Sequence, residues 1–391
     1  MKREIFKYVE EHKVPYQELA DYIYDNPETG YKEFKACAAI TEILEKKGFA
    51  VERNLADIKT AFRAVYENGD GGPSIGLLCE YDALEAVGHA CSHHLQGPII
   101  ALAAVALKET LKDKPFKLVV YGTPAEEGLG GKILMDQRGC FNDIDVSLMI
   151  HGWCKTFVDL RSYASRKYVV EFFGKSAHAA LCPYDGKSAL DALLLTFQGI
   201  EFMREHVEDT SRMHYTVTDA GGPANVVPAH ATGSVMLRSY SNKYIQYMDG
   251  RLKKIIQGAA LMTETESKVT LISEYIAKIP AYKLNDLMIE NARLVGAPRI
   301  VPPIKESGST DYATVMFKAP GAVIRLAFAP EGADPHSEAM LKAGKSDGAK
   351  TAIVQGAQIL AGVSFDLISD PAVMKEVTED FLRNKAEALK A

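Results

Sequence analysis

The chain has 391 residues, 47% hydrophobic and 25% charged, with a formal net charge of -6. That length allows two domains or one with a large insertion, and the composition is that of an ordinary globular protein. The acidic balance, without any Lys/Arg block, argues against a nucleic-acid partner. The charged start Met1-Lys2-Arg3-Glu4 is not an apolar signal core. Apolar runs such as 98–107 are too short to span a bilayer, so no membrane partner is expected. Cys37, Cys79, Cys91, Cys140, Cys154 and Cys182 are scattered without a C-x-x-C pair. Free thiols and a cytoplasmic location are therefore expected.

In chain order, Ile5, Phe6, Val9, Leu19 and Ile23 recur on one face and predict a helix over 3–25, ended by Asn26-Pro27. A second helix is predicted over 33–47, stopped by Gly48. Strand signals follow from Val51 and over 61–66, then the turn Asn68-Gly69-Asp70-Gly71-Gly72-Pro73. The apolar run 74–79 reads as a buried strand ending at Glu80-Tyr81-Asp82. Next comes Gly88-His89-Ala90-Cys91-Ser92-His93-His94-Leu95-Gln96-Gly97. Behind it lies a helix with almost no polar face, over 98–111. A strand over 117–121 ends in Gly122-Thr123-Pro124-Ala125-Glu126-Glu127-Gly128, and a helix should start near Gly130-Gly131. A further strand over 146–150 ends in His151-Gly152-Trp153. This alternation predicts an α/β domain with a mainly parallel sheet flanked by helices.

The pattern changes after about residue 162. A strand over 166–173 leads to Gly174-Lys175-Ser176-Ala177-His178, followed by a helix over 186–206. Two strands within 215–240 surround Gly221-Gly222-Pro223-Ala224-Asn225, then come a helix over 242–263 and a strand over 269–272. The β-α-β-β-α-β order predicts an open-faced sandwich, residues 164–282, inserted between 1–163 and 283–391. The last segment returns to the first style. A helix over 284–295 leads to Glu306-Ser307-Gly308-Ser309-Thr310-Asp311, and a strand over 322–328 continues to Asp334-Pro335-His336-Ser337. Helices over 346–362 and 371–390 close the chain.

Sites in such sheets lie beyond the carboxyl ends of the strands. Asp82, the Glu126-Glu127 pair and His151 each follow an apolar strand signal, so three strands deliver metal-type side chains to one edge. Cys91 and His93, two residues apart, form a soft-ligand pair suited to zinc or manganese. With Glu127, His151 and His336 they suffice for two divalent metal ions sharing a site. Water held between two such ions becomes a nucleophile near neutral pH. Adjacent glutamates suit a division of labour in which one binds metal and its neighbour takes the proton.

On these residues the chain resembles the aminoacylase, hippurate hydrolase and aminobenzoyl-glutamate hydrolase branch of the two-metal carboxypeptidase-aminoacylase metallohydrolases. The family's G-H-A-C-G-H-(D/N) is here Gly88 to His94, its T-P-A-E-E-G is Thr123 to Gly128 unchanged, and its lid motif G-K-x-A-H-A-A is Gly174 to Ala180. The resemblance implies Glu126 as general base and Cys91, His93, Glu127, His151 and His336 as ligands. It implies Asn225 and Arg238 as lid groups gripping a substrate carboxylate, and His178 as the group that polarises the scissile carbonyl. Residues 1–163 with 283–391 become the catalytic metal-binding domain, and 164–282 a lid through which a homodimer forms. The implied reaction is hydrolysis of the amide bond of N-acyl or N-aroyl amino acids or small dipeptides. Ser92 replaces the family's glycine, His94 its Asp or Asn, Glu85 its usual proline, and Trp153 its glycine after His-Pro.

Several residues keep two readings in sequence terms. Asp82 either orients a ligand imidazole or caps a strand end. His178 is an oxyanion donor or a turn residue, and Asn225 a substrate contact or turn chemistry. Arg238 is a bidentate carboxylate grip or a surface residue. Thr310-Asp311 fits a helix cap equally well, and His89 and His94 stay open. Two rival functions remain beside the amidohydrolase: displacement of an amine from an aromatic acid on the same metals, and a non-catalytic binding homologue.

Overall fold

The computed structural model describes residues 1–304 and 307–390; Glu306, at the head of the Ser307 stretch, lies outside them. The chain divides into two compact units, Met1–Arg161 with Lys278–Glu387, and Ser162–Ala277. The sequence placed these boundaries at 163/164 and 282/283.

The first unit begins with α1 (Lys2–Glu11) and α2 (Val14–Asp25), where periodicity predicts one helix. The chain breaks at His12-Lys13 and restarts with Pro15 in the first turn of α2, where a missing N–H leaves no intrahelical bond unmade. Then follow α3 (Phe34–Lys46), β1 (Ala50–Arg53), β2 (Phe62–Asn68), β3 (Ser74–Cys79), α4 (Gln96–Thr110), β4 (Phe116–Gly122), α5 (Gly131–Gln137), β5 (Val146–Trp153) and the short β6 (Phe157–Val158). The second unit holds β7 (Ala164–Phe173), α6 (Ala189–Arg204), β8 (Arg212–Asp219), β9 (His230–Ser239), α7 (Tyr244–Thr263) and β10 (Glu266–Tyr275). The first unit resumes with α8 (Tyr282–Leu294), α9 (Tyr312–Lys318), β11 (Gly321–Ala327), α10 (Glu338–Ala343), α11 (Asp347–Ser369) and α12 (Pro371–Ala388).

In the first unit the sheet order is β1-β2-β4-β3-β5-β11-β6. The four central strands β4, β3, β5 and β11 are parallel, and the outer pairings are antiparallel. Both sheet faces are covered, and successive residues go to opposite cores. Leu77, Val120, Leu148 and Ile324 join the core under α4 and α11, while Leu78, Val119, Met149 and Val323 join the core beside α5 and α9. That double burial is why the strands read as continuous apolar runs without alternation. α4 is buried from Gln96 to Leu107, as its missing polar face requires. α11 is long and apolar enough to cross a membrane, yet most of it is buried inside this unit.

The second unit is an antiparallel sheet, β10-β7-β9-β8. Alternate residues of β9 (Ala231, Val235, Leu237) pack with α6 and α7, while the intervening ones, Arg238 among them, are half-buried.

Leu102 is fully buried in α4. Leu102→Ala should lower unfolding free energy by about 2–5 kcal/mol, read as a shifted denaturant midpoint, because the cavity cannot close between a helix and a sheet.

Candidate metal centre

β3 and β4 lie side by side in parallel, so the segments after them reach one edge. Thr123 ties the two ends together, its N–H and hydroxyl donating to the Cys79 carbonyl at 2.8 and 3.0 Å. The chain then turns at Ala125 with φ 62°, a left-handed conformation that costs a non-glycine residue about 1–2 kcal/mol. Glu33 holds that turn, its Oε1 accepting the Ala125 N–H at 2.9 Å. Burial pushes the Glu33 carboxyl up to about 7. Gly131 approaches the same turn so closely that a Cβ there would lie 1.9 Å from the Pro124 carbonyl oxygen. Gly131 is therefore a packing requirement, whereas Gly128 and Gly130 answer to positive φ, 87° and 68°.

The turn delivers Glu126 and Glu127 to residues from three other elements. Ligand atoms of Cys91, His93 and His151 lie within 4.8 Å of one another, and so do those of Cys91, Glu127 and His336. The two trios share Cys91. A third trio joins His93, Glu126 and Glu127. Asp82 supports the set from behind. Its Oδ1 and carbonyl oxygen face His93 Nδ1 at 3.2 and 3.0 Å, and its Oδ2 accepts the Glu127 N–H at 2.9 Å. One carboxylate thus faces the His93 imidazole and pins its neighbour's backbone.

The donor set fits two divalent cations. Glu127 Oε1 is buried without a hydrogen-bond partner, so its lone pairs are available, and His93 Nε2, likewise without one, faces Glu80 Oε2 at 3.3 Å, where a cation can take the place of its proton. His151 donates from Nδ1 to the Gly152 carbonyl at 2.8 Å, leaving Nε2 facing Cys91 Sγ at 3.5 Å. Burial, then the Arg325 charge, holds His151 well below its ordinary range, in the neutral ligating form. Burial also pushes the Cys91 thiol up to about 12, so a cation must supply the thiolate. His336 Nε2 stands 3.6 Å from Glu127 Oε1 on an exposed turn, with φ 61°. Thiolate, imidazole and carboxylate together suit zinc or manganese.

Sequence reasoning missed the charge network beneath this group. Lys132, fully buried at the start of α5, donates from Nζ to Glu80 Oε1 at 2.6 Å and Asp311 Oδ1 at 2.7 Å. Its backbone N–H donates to Asp311 Oδ2 at 3.0 Å. Glu80 also accepts from Gln96 Nε2 at 2.9 Å and lies 3.3 Å from His93 Nε2. Glu80, Glu126 and Asp311 form a fourth trio, and the Lys132 ammonium already bridges two of its members. Burial pushes Asp311 up to about 6. Burial opposes the charge on Glu80, but the Lys132 ammonium, then His93, holds it below the usual range. Burial, then Glu80 and Asp311, holds the Glu126 carboxyl well above the usual range. The available signal was a lone lysine opening the apolar helix start Gly131-Lys132-Ile133-Leu134-Met135.

The two departures inside the Cys-His stretch have separate explanations. Ser92 has φ 65°, which favours the family's glycine. Its Oγ donates to the Gly152 carbonyl at 3.2 Å. A Cβ at Gly152 would lie 2.6 Å from that Oγ, so Gly152 is what admits the serine. His94 turns its Nε2 to the Gly344 carbonyl at 2.9 Å and packs edge-on against Tyr24 at 5.0 Å. It supports packing and is in none of the ligand trios. His89 stacks in the same buried cluster, 5.3 Å from the His94 ring.

A cavity of about 230 Å³ opens over the trios, lined also by Trp153, Tyr312, Arg325 and the stretch from Ser307 to Thr310. In the second unit, His178 Nδ1 accepts the N–H groups of Ala180 and Leu181 at 3.2 and 3.3 Å, which places its proton on Nε2. Asn225 is joined to this turn by its carbonyl, which accepts the Ala179 N–H at 3.0 Å. Arg238 stands on β9 opposite Ser165 and Arg212.

No family model matches the chain. The chain is 31% identical over 383 residues to the Xaa-Arg dipeptidase of Mus musculus, covering 93% of this chain and 88% of that protein. It is 34% identical over 323 residues to one of the polypeptides of the p-aminobenzoyl-glutamate hydrolase of Escherichia coli K12, covering 76% of this chain and 66% of that polypeptide. Among solved structures, a dinuclear metal binding peptidase of the M20 family from Bacillus subtilis aligns with TM-score 0.72 at 16% identity, covering 91% and 98%.

Lys132→Met would leave Glu80 and Asp311 buried without their cation. It should destabilise the first unit by about 3–5 kcal/mol, and adding Glu80→Gln should recover part of the loss in a denaturation cycle. Burial lowers His94 from 6.5 to about 4. Between those values the unfolded chain binds the extra proton, so stability rises with pH across the window and falls on acidification by up to about 3 kcal/mol. Unfolding of the metal-free protein at a series of pH values should show this slope, and His94→Asn should lessen it by about one proton's worth, since burial also holds His89 and His151 below their ordinary range and they add to it.

Proposed function

The chain belongs to the aminoacylase, hippurate hydrolase and aminobenzoyl-glutamate hydrolase branch of the M20 two-metal metallohydrolases, and from that premise we propose that it hydrolyses the amide bond of N-acyl or N-aroyl amino acids or small dipeptides carrying a free carboxylate. The observation that carries this reading is the pair of ligand trios sharing Cys91, with Glu126 beside both. Two divalent ions, manganese or zinc, would acidify the attacking water and polarise the scissile carbonyl when bound.

The chain's own residues supply the rest. Glu126 stands outside the two Cys91 trios and next to His93 and Glu127, where a base can meet the attacking water. Its raised proton affinity suits taking a proton from that water and returning it to the leaving amine. Asp82 keeps the His93 imidazole and the Glu127 backbone in place through both transfers. In the second unit, the Nε2–H of His178 is the donor assigned to the developing oxyanion. Asn225 and Arg238 are assigned to the substrate carboxylate, for which a guanidinium fork is well suited. The same reading includes a homodimer formed through the second unit and action in the cytoplasm, without nucleic-acid or membrane partners. Amine displacement from an aromatic acid would use the departures His94 and Trp153 at the site, but His94 turns its Nε2 to the Gly344 carbonyl instead.

Purified protein loaded with manganese or zinc should cleave members of an acyl-amino-acid and dipeptide panel. Glu126→Gln should lower kcat about 10²–10⁴-fold with metal content by elemental analysis unchanged. Failure of the loaded wild-type protein on the whole panel, or full activity in Glu126→Gln, would sink the reading.

A further inference from the structure

The cavity wall beyond the glutamates has a different chemistry. Glu80, Glu126 and Glu127 line one side, and Arg325 is the only lysine or arginine among the described lining residues. Arg325 is the register partner of His151 on adjacent parallel strands, so both side chains stand on the same sheet face, one strand spacing apart. Its guanidinium lies 5.2 Å from the Trp153 ring centroid, and that ring in turn stands edge-on to His151 at 6.2 Å. Nε and Nη2 both address the same Asp159 oxygen, at 3.4 and 3.3 Å. These are long for charge-assisted bonds, ordinarily about 2.7–2.9 Å, and Nη1 has no protein partner among the described residues. The nearby Thr310 hydroxyl accepts the Tyr312 N–H at 3.2 Å, which leaves its own hydrogen for a ligand. Ser307 Oγ already donates to the Arg161 carbonyl at 2.8 Å. Arg325 and Thr310 therefore offer this end of the cavity hydrogen-bond donors.

Pairing with Asp159 explains a fixed arginine, but it does not explain one that lines a cavity whose other charged walls are the carboxylates of Glu80, Glu126 and Glu127. Resting on the reading that this cavity holds the scissile amide, we propose that Arg325 is the specificity-determining contact for the acyl half, selecting short acyl groups that end in a second carboxylate. Trp153 and Asp159 are positioning residues that fix the guanidinium plane. The single strand spacing between Arg325 and His151 restricts the spacer to a few carbons, so the substrate class is the monoamides of small dicarboxylic acids with amino acids.

The test pairs binding with turnover. Calorimetry on the manganese-loaded protein compares succinate with butyrate, which has the same chain length and one carboxylate fewer. Succinate should bind at least about tenfold tighter. Arg325→Met should erase that preference and Arg325→Lys should keep part of it. Equal binding of the two acids, or a preference unchanged in Arg325→Met, overturns the proposal. In parallel, the kcat/KM ratio of N-succinyl to N-butyryl amino acids should fall by the same factor in Arg325→Met. A purely structural Arg325 would lower both substrates alike and leave the ratio where it was. Succinate binding through Arg325 without cleavage of any amide would leave the subsite standing and bring down the hydrolase reading. Cleavage of neutral acyl substrates with no succinyl preference would bring down this inference alone.

Discussion

Burying a carboxylate is costly unless a cation or a set of donors compensates it. Five carboxylates, those of Glu33, Glu80, Asp82, Glu126 and Asp311, gather around the carboxyl ends of the central strands, and each is satisfied differently. Asp82 is neutralised by an imidazole and a backbone amide. Glu80 and Asp311 share one lysine. Glu33 takes a backbone donor from a strained turn. Glu126 lies beside Glu80 and Asp311, and burial with those two charges holds its carboxyl well above the usual range. The difference in compensation separates carboxylates that support from the one suited to exchanging a proton.

Backbone strain is also present at this edge. Ala125, Ser92 and His336 all have positive φ, and each is a candidate site residue or the neighbour of one. Such conformations persist only where the surroundings over-determine them. Glu33 and Gly131 constrain Ala125, and the Gly152 carbonyl constrains Ser92. The sheet thus supplies rigid strand ends, and the short loops after them are held in conformations that aim the donors inward.

Much of this edge was legible in the sequence because the relevant residues follow strands or stand in compact motifs. Cys91 and His93 are two apart, Glu126 and Glu127 follow a strand, and the apolar runs mark the strands themselves. The network of Lys132, Glu80 and Asp311 was not legible. Its members come from three distant stretches, and no spacing rule links them. Asp82 was ambiguous because support of an imidazole and capping of a strand look alike before distances are known. His151 was expected after its strand, yet it lies within β5, because pairing with β11 extends that strand to Trp153. The helices α9 and α10 have only 7 and 6 residues, too short for periodicity to register. The single helix expected over 3–25 failed at a break that the apolar pattern carries through unmarked.

The sharing of Cys91 by two ligand trios has a consequence for chemical durability. Cys91 belongs to both trios, so its oxidation by peroxide through the sulfenic to the sulfinic acid would remove a donor from both together, and the second of those steps is not reversed by ordinary thiols. Burial keeps the sulfur a protonated thiol until a cation draws off the proton, and a protonated thiol reacts poorly with oxidants and alkylating agents. Before metal arrives the group would be guarded by its weak acidity, and afterwards by coordination. The vulnerable interval is the exchange of one ion for another, when the thiolate is formed and briefly uncovered.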